Sequence, residues 1–107
     1  MNLEFAVDRL YESGWTPWGN DGDDLEALPD GRYYPSVRQV RREFEREGLD
    51  LSLKQNLIFN CCRAAWRKAG EQREAGTVVG SCEREAAVFA LAQLRASTRQ
   101  VATMASA

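Results

Sequence analysis

The stretch LDLSLKQNLIFNCCRAAWRKAGEQREAGTVVG, residues 49–80, decides the fold class. Leu49, Leu51 and Leu53 alternate with Asp50, Ser52 and Lys54, the period of a half-buried strand. Gln55 and Asn56 follow as turn residues. Residues 57–67, LIFNCCRAAWR, read two ways. In a strand, Leu57, Phe59 and Cys61 share one face and Ile58, Cys62, Ala64 and Trp66 the other. In a helix, Leu57, Ile58, Cys61, Cys62, Ala65 and Ala69 share one broad side, a slightly cleaner period. Against the helix, Asn60, Cys61 and Cys62 are indifferent helix formers. Thr77-Val78-Val79 is also a β-branched run that needs a strand partner. A ladder of 57–67 with 76–80, joined by the glycine-bracketed loop KAGEQREAG, supplies it. The hairpin is therefore the favoured reading. The helical alternative would turn the chain into an all-α four-helix bundle.

Helices flank this region on both sides. Ser36 followed three residues later by Gln39 has the spacing of a capping box. Val37, Val40 and Phe44 then form one apolar face, and Gly48 ends the run. After the strands, Gly80-Ser81 reads as a helix start with Ser81 as N-cap, Cys82 at the first helical position, and Glu83 and Glu85 in the first turn. Ala86, Ala87, Ala90, Leu91 and Leu94 give it a small-residue packing face. At the other end of the chain, Leu3, Val7, Leu10 and Tyr11 recur at helical spacing, with Asn2 as N-cap and Gly14 as terminator.

Between the first two helices lies GWTPWGNDGDDLEALPDGRYYP, residues 14–35. Its glycines, prolines and aspartates argue against a continuous helix or strand, and Asp24–Leu28 reads as at most one helical turn. Its Trp15, Trp18, Leu25, Leu28, Tyr33 and Tyr34 are too apolar for a disordered linker, so it should lie against the domain. The expected fold is α+β, a small antiparallel sheet of about three strands with helices packed on one face, in the order α-α-β-β-β-α. It forms one domain over 1–107: helix 1–13, acidic aromatic loop 14–35, helix 36–48, sheet 49–80, helix 81–97 and a frayed tail 98–107. That accords with 107 residues, one domain's worth.

The composition excludes much chemistry. There is no histidine, which removes Ser-His-Asp triads, Cys-His dyads and imidazole acid–base work. Three cysteines, Cys61, Cys62 and Cys82, with no CxxC, are a poor zinc set and a poor disulfide framework, and they read as thiols in a reducing compartment, a bridge from Cys61 or Cys62 to Cys82 staying open if those segments pack together. A redox role for the three is the weakest functional reading. The acidic run Asn20, Asp21, Gly22, Asp23, Asp24, Glu26 lacks the ligand frame of a calcium loop and reads as a solvated turn. GTVVGS lacks the lysine of a phosphate-binding loop. No segment has the features of a signal peptide or the roughly 20 apolar residues of a membrane span. The expectations are a cytoplasmic, non-enzymatic protein with no cofactor, no metal and no membrane partner.

What remains is surface. Twelve arginines against two lysines is the usage of a GC-rich genome. Even so, Arg38, Arg42 and Arg46 stand at i, i+4 and i+8 on one helix face with Arg41 beside them. Pairs such as Arg41 with Glu45 would neutralise part of it. Trp15, Trp18, Tyr33 and Tyr34 either form a second contact patch or plug the open side of the sheet. Charge is also segregated. Residues 1–31 hold eight carboxylates against Arg9 alone, a formal charge of −7, and residues 32–107 hold eight against thirteen cations, +5. The acidic part is expected to fold over the arginine face and screen it.

Gly80-Ser81 followed by Ala86, Ala87, Ala90, Leu91 and Leu94, closing a helix–three strands–helix order from Val37, resembles the last helix of a double-stranded-RNA-binding domain. That resemblance implies a three-stranded sheet backed by two helices. The family carries lysines just after this serine, where its helix meets phosphate. Here those positions are Cys82, Glu83, Arg84 and Glu85, and the acids would repel the backbone. The same region is similar in outline to HicB-like antitoxin domains and to small phage helix–sheet–helix domains. The functional expectation is a binding or accessory module acting through protein–protein contacts, self-association included. Its surface would be Arg38, Arg41, Arg42, Arg46, Trp15, Trp18, Tyr33 and Tyr34. The alternative is a nucleic-acid-binding domain using the arginine face with Arg63 and Arg67.

Overall fold

A computed structural model describes residues 3–17 and 24–106, with side chains described as far as Ser97. The elements run α1 (Leu3–Glu12), β1 (Leu25–Ala27), β2 (Tyr33–Pro35), α2 (Val37–Arg46), β3 (Leu49–Asn56), β4 (Cys61–Lys68), β5 (Gly76–Gly80) and α3 (Glu83–Ser106). The fold is α+β, and the four-helix bundle is not formed. β3, β4 and β5 make an antiparallel sheet in that order.

The alternation in β3 does what its period requires. Leu49 and Leu51 are buried on the inner face, and Asp50, Ser52 and Lys54 are exposed on the outer. β4 adds Cys62, Ala64 and Trp66 to the inner face, over which α2 and α3 pack. The Phe44 ring of α2 lies 5.3 Å from that of Trp66. Close packing depends on two glycines. A Cβ on Gly76 would fall 2.3 Å from the Trp66 ring, and one on Gly80 would fall 2.6 Å from the Ala86 nitrogen. The fully buried Ala86, Ala87 and Ala90 line the same close approach of α3. α1 buries Ala6, Val7 and Leu10 in the same core.

Four expectations need correction. Residues 57–60 are not part of a strand: β3 continues through Gln55 and Asn56, the chain turns at Leu57–Asn60, and β4 begins at Cys61. The 14–35 connection contains a two-stranded antiparallel hairpin, with Leu25 opposite Pro35 and Ala27 opposite Tyr33, and Asp24–Leu28 makes no helical turn. Two three-residue strands are too short to show a period. Tertiary bonds hold them instead, with the Ser36 amide donating to the Asp24 carbonyl and the Tyr11 hydroxyl to the Tyr33 carbonyl at 2.6 Å. At the start of α3, Cys82 rather than Ser81 supplies the carbonyl that takes the first helical amide, Ala86 N–H. The Ser81 hydroxyl turns to the Glu85 carboxylate. Finally, α3 stays helical past Ser97 to Ser106 instead of fraying. The expected N-cap Asn2 lies outside the described residues.

The cap of α2 is half of a capping box. Ser36 Oγ accepts from the Gln39 amide at 3.2 Å. The Gln39 side chain is buried and accepts from the Arg42 guanidinium at 3.4 Å rather than returning to Ser36.

Candidate functional site

The arginine row is less open than its spacing suggests. Arg38 Nε lies 2.9 Å from an Asp24 carboxylate oxygen, and Arg42 reaches the same oxygen at 4.0 Å. Arg41 donates to the Leu51 carbonyl at 2.8 Å, tying α2 to β3. Arg46 is exposed. The two oppositely charged parts of the chain meet elsewhere as well. Asp8 and Asp30 hold Arg32, and Glu26 lies 3.1 Å from Arg84. The Arg32 partners also draw the Asp30 carboxyl below the usual carboxylate range, chiefly through the Arg32 backbone amide.

The aromatic set divides. Trp15 and Tyr34 are buried in the core, where Trp15 stands 5.6 Å from the Tyr11 ring. They plug the fold. Tyr33 is exposed, and Trp18 lies outside the described residues, as do Asn20, Asp21, Gly22 and Asp23 of the acidic run. The three cysteines are free thiols. Cys62 is buried, and desolvation first, then Glu83, pushes its thiol up, away from the reactive thiolate. Among the described residues no group of three or more histidine, cysteine, aspartate or glutamate side chains could hold a metal ion, and no helix is long and apolar enough to cross a membrane.

The feature that stands out is the turn between β3 and β4. Leu57, Ile58 and Phe59 are 86%, 88% and 76% exposed, three consecutive large apolar side chains touching almost nothing. β5 ends at Gly80 opposite Cys62, so the Asn56–Cys61 pair and the turn extend past the end of β5. Local bonds define the turn's backbone. The Asn56 side-chain carbonyl accepts from the Ile58 amide at 3.0 Å and the Phe59 amide at 3.2 Å. Asn60 closes the turn in the left-handed region, φ 51°, which asparagine tolerates better than most residues.

Directly behind the turn the outer face is cationic. Lys54 stands opposite Arg63, which holds Glu74 at 2.6 Å, and the exposed Val79 lies beside Arg63 on β5. The guanidinium keeps the Glu74 carboxyl below its ordinary value. Sequence reading passed over this site because it placed an apolar run inside the sheet. The signal available was the pair of turn-forming asparagines, Asn56 and Asn60, bracketing Leu-Ile-Phe. Comparison with protein-family models, with curated proteins and with solved structures finds no match for this chain.

Proposed function

We propose that the chain is a non-enzymatic binding module that works through protein–protein contact, and that turn 57–60 is its docking element. One observation carries this reading, the exposure of Leu57, Ile58 and Phe59 side by side on a hydrogen-bonded turn. Contiguous apolar surface of this kind is uncommon on a monomer and marks interaction sites. A preorganised turn also loses little conformational freedom on binding. Three free thiols fit a reducing, cytoplasmic setting.

The arginine row has less in its favour as the principal surface, since Asp24 already pairs with Arg38 and Arg42 and Arg41 is tied to the Leu51 carbonyl of β3. For the same reason, together with Glu83 and Glu85 at the start of α3, nucleic-acid binding has less support than protein contact.

A photo-cross-linking residue placed at position 58, and in a second protein at position 42, tests the reading in the native cells. Position 58 should give a discrete protein adduct at several times the yield of position 42. Adducts from position 42 alone, or nucleic acid as the dominant adduct, would overturn it.

A further inference from the structure

The inference rests on docking by turn 57–60 and names the surface that turn fits. Across an antiparallel ladder, opposite charges stabilise and like charges directly opposite destabilise. At the base of the β3–β4 ladder Asp50 stands opposite Arg67, the favourable arrangement. Two register pairs behind the turn the arrangement reverses, with Lys54 opposite Arg63. Both are exposed on the outer face. The fold offsets their repulsion with a single carboxylate, Glu74 of the 69–75 connection, which pairs with Arg63 and is also felt by Lys54. A local cost kept beside an exposed apolar turn is the mark of a functional constraint.

The backbone of the turn is also ready for burial. Because Asn56 takes the Ile58 and Phe59 amides, the turn enters an apolar cleft without leaving those two donors unpaired.

We infer that this end of the hairpin is a composite plug for an acid-rimmed apolar cleft on a partner protein. Leu57, Ile58 and Phe59 fill the cleft. Lys54 meets carboxylates on its rim, and Arg63 joins it by exchanging Glu74 for a rim carboxylate, the pair being set back about 7 Å from the strand end by two residues of strand rise. A lipid surface is the other occupant, and the cross-link distinguishes the two.

The test uses the full-length chain. The protein cross-linked through position 58 is purified, and its affinity is measured for the unsubstituted chain, for Lys54→Glu and for Arg63→Glu, each first shown to have a native circular-dichroism spectrum. The cross-link should map to a partner segment where apolar residues border Asp or Glu. Each charge reversal should weaken binding about tenfold, and affinity should fall as salt is raised. A partner whose affinity ignores both reversals and salt overturns the inference and leaves docking by the turn intact, as do adducts found only on a second copy of this chain. No protein adduct, or adducts on lipid alone, overturns the docking reading along with it.

Discussion

At the base of the β3–β4 hairpin Leu51 stands opposite Trp66 under α2 and α3, and Asp50 stands opposite Arg67. Toward the tip Lys54 faces Arg63, and beyond them Leu57, Ile58 and Phe59 face solvent. The same hairpin thus carries apolar residues that hold the fold together and, at its turn, apolar residues that are left out of the core. Burial is a property of place, not of residue type, because apolar atoms also make up much of any protein's surface. The base is optimised for stability, and the tip departs from that optimum in both hydrophobicity and charge.

The sharpest way to break this contrast is to mutate both ends. Phe44→Ala removes a fully buried ring stacked near Trp66 and should cost about 3–5 kcal/mol in urea denaturation. Replacing Leu57, Ile58 and Phe59 together by serine should change stability by no more than about 0.5 kcal/mol while raising solubility. A triple substitution as costly as Phe44→Ala would mean that the turn packs on the domain after all. Next in size, Gly80→Val places a side chain within 2.6 Å of the Ala86 nitrogen and 3.0 Å of its Cα. Both atoms are backbone, so α3 must shift, at a cost of about 1–3 kcal/mol in the same measurement.

A smaller effect probes the packed side through pH. Glu43 on α2 is partly buried, and desolvation raises its carboxyl above the ordinary glutamate value in spite of Arg95 and Arg46. Its Oε2 is buried without a hydrogen-bond partner. A raised value means that the folded state holds the proton more tightly than the unfolded chain. Stability from this group is therefore lost as pH rises from the unfolded value through the folded one. Glu43→Gln should raise the melting temperature at pH 7. The gain should vanish below the ordinary glutamate range. The smallest effect returns to the tip. Lys54→Glu replaces the repulsive pair with Arg63 by an attractive one but sets a second carboxylate near Glu74, so stability should change by no more than a few tenths of a kcal/mol, seen as a nearly unchanged melting temperature. The same change should weaken partner binding, which separates what is good for the fold from what is good for contact.

The helices and the first long strand were legible because their signals are local. Ser36 followed by Gln39, then Val40 and Phe44, determines where α2 starts and which face it buries, and the structure has that cap and that face. Leu49, Leu51 and Leu53 determine the period of β3. The β1–β2 hairpin was not legible, since three-residue strands have no readable period and depend on Tyr11 and Ser36 for their bonds. Of the expected contact surface, Arg38, Arg41, Arg42, Arg46 and Tyr33 lie at the surface, whereas Trp15 and Tyr34 are core residues. Nothing local distinguishes a tryptophan that fills a gap from one that greets a partner.

By itself the amino-acid sequence favoured an α+β chain and determined one without histidine chemistry, acidic over its first 31 residues and basic beyond them. Charge, residue type and short-range period are properties of the chain and need no neighbours. Only the tertiary structure decided that Asp24 lies on the arginine row and that Cys82 begins the last helix. It also decided that Leu57, Ile58 and Phe59 are left outside. Each of these depends on where the sheet ends and the helices cover it, which is a matter of packing between segments far apart in sequence.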